Sequence, residues 1–170
     1  MNDARSYLLV LGEREAVGWV LRESRMAFPS TPRAEVDRLT PGDKLLIYTT
    51  RGCWHNPTRD CGRIVGWARV ASPVVAYDKP VTIAGRDFTR SCDLTVRRLT
   101  PLGQGVELAP LIPQLEAFPN KKAWSVWLRR PLLELPPGDA ALLRRGLEPI
   151  ACDVKVTAPD YIRQAEVAKH

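Results

Sequence analysis

The chain has 170 residues, enough for one domain that buries its own core. With 45% hydrophobic and 26% charged residues it has the make-up of an ordinary soluble globular fold, and no apolar run approaches the roughly 20 residues of a bilayer span. Lysine and arginine outnumber aspartate and glutamate 25 to 19, a formal charge of +6 that suits a polyanionic partner, nucleic acid first, as readily as it makes a plain basic surface.

Met1-Asn2-Asp3-Ala4-Arg5 includes an acid and leads directly into a strand pattern over 6–11, which is not the make-up of a secretory signal. Gly12 ends that strand. A helix follows from Glu13, with Val17, Val20 and Leu21 at helical spacing and acids in the first turn, where the helix dipole favours them. An irregular stretch over 22–32 and a short helical turn over 33–39 come next. Thr40-Pro41-Gly42-Asp43 then reads as a tight turn into a strand over 44–50, apolar on both faces. A polar loop over 51–61 holds Cys53, Trp54, His55 and Asn56. The following strand, over 63–70, alternates so that Ile64, Gly66, Ala68 and Val70 share one face and Arg63, Val65, Trp67 and Arg69 the other; Gly66 inside it marks a bulge or a close backbone approach. Short strands are expected over 74–77 and 81–83, and a longer one in which Cys92, Leu94 and Val96 face inward. Residues 108–118 have helical spacing interrupted by Pro110 and Pro113, and 123–128 read equally as helix or strand. A helix opens at Pro137-Gly138-Asp139 and stops at Gly146. Residues 151–170 read as an extension to a domain over 1–150: a short strand over 154–156, then a terminal helix opened by Pro159. About five short, hairpin-compatible strands with three short helices predict an α+β fold, a small mainly antiparallel β-barrel decorated by helices, with the prolines punctuating its turns.

Two segments carry a family resemblance. Leu39-Thr40-Pro41-Gly42-Asp43-Lys44-Leu45-Leu46-Ile47-Tyr48 and, after the polar loop, Ile64-Val65-Gly66-Trp67-Ala68-Arg69-Val70 are similar to the core of PUA-like domains. Within that superfamily they most resemble the EVE branch, whose relatives include the YTH and ASCH domains. Leu111, Leu115, Phe118-Pro119, Trp124, Asp139 and Leu142-Leu143 echo the family's tail, so the resemblance runs over 7–149. The sequence departs from the pattern in having no tryptophan near Met26-Ala27-Phe28, in Thr49-Thr50 where the family has His-Ser after the strand-ending tyrosine, and in a longer loop around Trp54. The resemblance implies a PUA-like barrel and association with nucleic acid. EVE and YTH domains hold a modified base in an aromatic-lined pocket, and ASCH relatives include RNA binders and small amidohydrolases.

A base pocket also has a physical case of its own. An extruded base costs a few kcal/mol to unstack and recovers about 1–3 kcal/mol per aromatic stacking contact. The pocket also needs polar groups to read the base edge and cations outside for phosphates. Residues 48–56 offer this mix. Trp54 is the leading stacking candidate, because nothing in its polar loop calls for a core residue; packing that loop onto the barrel is the equal alternative. Tyr48 ends a buried strand and reads first as core, second as pocket wall. Met26 and Phe28 lie where the resemblance puts a pocket wall, with core packing as the rival. Thr49, Thr50 and Asn56 are candidates to read polar edges. Lys121, Lys122, Arg129 and Arg130 bracket Trp124 and Trp127 with no acid over 120–133 and are the candidate phosphate contacts. Arg86, Arg90, Arg97 and Arg98, interleaved with Asp87 and Asp93, rank behind them. Trp67 between Arg63 and Arg69 reads first as a half-buried strand residue, second as a cation–π surface.

Cys53, His55, Cys61 and Cys92 are zinc-ligand types without the paired C-x-x-C spacing of structural sites, so neither a metal nor a cofactor is expected. The cysteine spacings and the lack of a secretion signal suit reduced thiols in the cytoplasm. The expectation is a cytoplasmic, non-enzymatic EVE-type reader holding a methylated base of DNA or RNA, with no membrane association. One rival is an ASCH-like hydrolase of a modified nucleoside built on Lys44, Thr49 and Glu35. Another is an accessory module whose surface binds protein.

Overall fold

Strand β1 (Ser6–Leu11) is apolar on both faces, and Tyr7, Leu8 and Leu9 are wholly buried. It therefore lies inside the sheet, flanked by β3 (Lys44–Thr49) in parallel and β8 (Leu132–Leu135) antiparallel. Parallel neighbours need a crossover. Helix α1 (Arg14–Glu23), strand β2 (Arg25–Phe28) and the short helix α2 (Ala34–Asp37) supply it. In this computed structural model, which describes residues 4–30, 33–54 and 61–167, the remaining strands are β4 (Arg63–Val70), β5 (Val75–Ile83), β6 (Arg86–Leu99) and β7 (Val106–Glu107). The sheet order is β2-β6-β4-β3-β1-β8, with β5 against β6 and β7 against β4. Every pairing except β1–β3 is antiparallel. The α+β class and the mainly antiparallel curled sheet are as expected.

The details differ in instructive ways. The short strands over 74–77 and 81–83 are one strand, β5, interrupted by an irregularity between Ala76 and Val81. Residues Ala109–Gln114 and Trp124–Arg129 form 3-10 helices. That tighter helix suits short pieces such as the proline-interrupted segment. Helix α3 (Pro137–Leu147) runs through Gly146. The strand expected over 154–156 is the first turn of α4 (Val154–Val167), where Asp153 Oδ1 accepts the backbone N–H of Lys155 at 3.0 Å. Helix α4 belongs to the core. Tyr161 is 1% exposed with its hydroxyl 3.0 Å from Thr100 Oγ1, and Ala165 fits against Gly18 so closely that a Cβ there would sit 2.7 Å away.

Two apolar layers cover the two faces of the sheet. One joins Tyr7, Leu9, Leu45, Ile47, Val65 and Ala68 to Val17, Val20 and Tyr161. The other joins Leu8, Leu46, Tyr48 and Ile64 to Phe118, Leu143 and Leu147. The expected alternation of β4 therefore breaks. The register against β3 slips by one residue between Ile47 and Tyr48, so Ile64 and Trp67 share one face while Val65, Ala68 and Val70 share the other. Gly66 sits at the slip, where an added Cβ would lie 2.4 Å from the Arg98 carbonyl oxygen.

The buried carboxylate of Asp43 ties the turn before β3 to the start of β1, accepting the backbone N–H groups of Arg5 and Thr40 at 3.0 Å each. Among the described residues no helix is long and apolar enough to cross a membrane.

Gly66→Ala must push the two strands apart and should cost about 1–3 kcal/mol of stability. Gly138→Ala, which meets nothing within 4 Å, should change stability by no more than about 0.5 kcal/mol. Urea unfolding midpoints of the two variants test the difference.

Candidate nucleic-acid interface

Because β1 and β3 run parallel, their C-terminal ends come side by side. Leu11 pairs with Thr49, and Thr50 N–H donates to the Leu11 carbonyl at 3.1 Å. A cavity of about 240 Å³ opens beyond these ends. Gly12 and Glu13 bound it at the joint into α1, Met26 and Pro29 at the end of β2, and the segment from Leu128 to Pro131 on the far side. The fourth wall is the β5–β6 hairpin. Ala84 and Gly85 both have positive φ, 52° and 77°, the geometry of a tight two-residue turn closed by the pair Ile83 and Arg86. That turn sets Arg86 at the rim, its guanidinium 5.9 Å over the Phe88 ring, and Phe88 lines the cavity. The walls are mostly apolar; Thr50, Glu13, Arg86 and Arg129 bring polar groups to it. A volume below the roughly 300 Å³ at which drug-sized sites begin suits one flat ring system.

The residues singled out from the sequence are distributed over several places. Met26 and Thr50 line this cavity, together with Arg129 and Arg130. Thr49 and Trp54 line a second cavity, of about 230 Å³, with Tyr161, Arg63, Gln104 and Gln164. Trp54 packs there against Tyr161, ring centroids 5.9 Å apart and tilted by 56°. Phe28 is fully buried in the first apolar layer and Tyr48 in the second. Asn56 and His55 lie outside the described residues.

The four candidate cations also have different surroundings. Lys121 Nζ donates to the carbonyls of Ile112, at 3.1 Å, and Leu115, closing a 3-10 helix. Arg130 pairs with Glu35 at 3.0 Å and lies 5.1 Å over Trp127. Lys122 and Arg129 are exposed, and only Arg129 reaches the cavity. Arg86 and Phe88 are the wall residues that sequence reasoning ranked low or passed over; the Ala-Gly turn that places them has no Asn-Gly or Asp-Gly signature.

The rival chemistries find less. Lys44 and Thr49 stand at opposite ends of β3, roughly 16 Å apart by strand geometry, and Glu35 is held by Arg130. Cys53 and Cys92 are buried and Cys61 is exposed, and no disulfide links any of the four cysteines. Among the described residues no group of three or more His, Cys, Asp or Glu side chains is placed to hold a metal.

No protein-family model matches the sequence, and no curated protein matches it significantly. Solved structures do match. Human THYN1, determined in complex with 5-methylcytosine-containing DNA, superposes with a TM-score of 0.54 at 12% identity over 85% of this chain and 98% of its own. The Mmi1 YTH domain in complex with RNA gives a TM-score of 0.56 at 10% identity over 88% and 84%. A Pseudomonas syringae protein gives 0.56 at 9% over 84% and 99%. The chain thus shares the α+β fold of these structures.

Burial pushes the phenols of Tyr48 and Tyr161 up to about 12, a nearby Cys61 adding to the rise at Tyr48, while the hydrogen bond to Thr100 and the charge of Arg63 oppose it at Tyr161. The Cys92 thiol is likewise raised to about 12, first by burial and then by Asp93. Above the ordinary ionisation range the unfolded chain loses these protons while the folded chain keeps them. Stability should therefore hold up to about pH 9 and fall steadily between about pH 9 and 12. Urea midpoints across that range check this, and Tyr48→Phe should flatten the fall.

Proposed function

We propose that this protein is a non-enzymatic, EVE-type reader that binds nucleic acid and holds one modified, most simply methylated, base in the cavity at the ends of β1 and β3. The single observation that carries the reading is that cavity: room for one ring system, with Met26 and Phe88 as apolar walls, Thr50 beside them, and Arg86 and Arg129 outside. Stacking on Phe88 and Met26 would offset the cost of unstacking the base, Thr50 would read a polar edge, and the two guanidiniums would meet the flanking phosphates. Arg130 supports the site from behind through Glu35 and Trp127. The fold shared with THYN1 and the YTH domain, both solved with nucleic acid, supports the same reading. Trp54 and Thr49 are assigned to the second cavity. Undisulfided cysteines are consistent with action in the cytoplasm.

The test is fluorescence anisotropy at fixed salt with DNA and RNA oligonucleotides carrying 5-methylcytosine, 5-hydroxymethylcytosine or N6-methyladenine, beside unmodified controls. One modified strand should bind tighter than its control. Thr50→Leu, which fills the cavity, should remove that preference, a loss of about 1–3 kcal/mol or roughly 5- to 100-fold. Equal binding of every strand, or binding of none, defeats the proposal.

A further inference from the structure

The outer face of β4 carries a second basic surface, made by residues the sequence scatters widely. There Trp67 faces outward from the sheet, paired in register with Leu46 of β3 and Arg98 of β6. Helix α3 lays Arg144 on it, the guanidinium carbon 4.4 Å from the indole centroid. Together with Leu147, Glu148 and Ala151 these residues line a hollow of about 390 Å³. Two residues along the same face of β4 stands Arg69, opposite Lys44.

The cations of this face differ from the six arginines that are held in ion pairs. Arg5, Arg22, Arg25, Arg90, Arg130 and Arg163 each pair with a carboxylate. Among the described residues Arg69, Arg98, Arg144 and Lys44 have no carboxylate partner, Glu148 on the rim included. Arg144 Nε is moreover buried with no hydrogen-bond acceptor. A guanidinium held over an indole face still carries N–H donors along its edge, and paired N–H donors match the paired oxygens of a phosphate. The stacked face also suits a polyanion whose bases can extend the aromatic layer, which an acidic peptide lacks.

We propose that the hollow between Trp67, Arg98 and Arg144 is a second nucleic-acid contact, gripping a backbone phosphate without reading sequence or modification. It rests on the nucleic-acid reading above but not on the base cavity, since none of its residues lines that cavity.

The experiment uses the full chain and two oligonucleotides, one with the preferred modified base and one without, titrated by anisotropy over a salt series. Arg98→Ala and Arg144→Gln should each weaken both strands equally, several-fold, and lower the slope of log affinity against log salt by about one, leaving the modified-to-unmodified ratio unchanged. Arg163→Ala, already paired with Asp160, should change neither. Arg98 is exposed, so its variant keeps the test open should Arg144→Gln fail to fold. Wild-type binding with both variants unchanged in affinity and slope overturns this contact and leaves the base-cavity reading standing. Loss of the modification preference alone overturns the cavity reading and leaves this contact standing. Wild-type protein that binds no strand, or binds only an acidic peptide, overturns both.

Discussion

The one-residue slip in β4 is the constraint on which the rest of the molecule depends. A regular strand over 63–70 would send Ile64 and Ala68 to the same side. The slip between Ile47 and Tyr48 sends Ile64 toward Tyr48 and Phe118, and Ala68 toward Val65 and the α1 side. Each apolar layer then receives a full set of side chains from the same strand. Only glycine permits this at the point of closest approach, because β6 passes with the Arg98 carbonyl where any Cβ would stand. The β4–β6 register slips close by, between Trp67 and Ala68. Two neighbouring irregularities bend the sheet and leave the Trp67 indole outside it, under α3.

The charge of the chain has a structure as well as a sum. Several described arginines serve as ties. Arg90 holds Asp37 of α2, Arg130 holds Glu35 of the same short helix, and Arg25 lies between Trp19 and Tyr77 within 6 Å of each ring. A helix of four residues has little stability of its own, so two ion pairs from β6 and the segment before β8 position it. Under the two proposals, the basic residues that meet a partner stand in two places. One is the rim of the base cavity, at Arg86 and Arg129; the other is the outer face of β4.

The strands whose burial is continuous were legible in the sequence, β1 and β3 above all, because their apolar runs and bounding turns are local signals. The Thr40-Pro41-Gly42-Asp43 turn was legible for the same reason, with Gly42 at φ 97°. Helix α4 was not. Val154-Lys155-Val156 alternates like a strand, and Pro159 reads as a helix start when it stands one turn inside; the telling signal was Asp153, a capping residue. The candidate site was legible only in pieces. Its walls come from residues 12, 26, 50, 86, 88 and 129, brought together by sheet order alone, and no local spacing encodes that. Tyr48 and Thr49 were grouped because they are adjacent, yet adjacent strand residues face opposite ways, so one enters a core and the other a different cavity.

The departures from the family pattern acquire a meaning in this arrangement. The sequence lacks a tryptophan at the end of β2, and Met26 and Pro29 stand on that wall instead. A thioether packs against ring edges and adapts its shape, but it offers no flat face. The flat face in this cavity comes from across it, where Phe88 is backed by the Arg86 guanidinium. A cation lying over one side of a benzyl ring attracts the π electrons on that side and leaves the other available to an electron-poor ring system. On the proposed reading the stacking platform is the β5–β6 hairpin and not β2, and its position is fixed by a turn in which a non-glycine residue, Ala84, holds a positive φ. Strain of that kind persists where the surrounding structure holds it, and it clusters at ligand clamps. The hairpin, rather than the tryptophan-bearing loop after β3, is therefore the element that sets the geometry of the cavity.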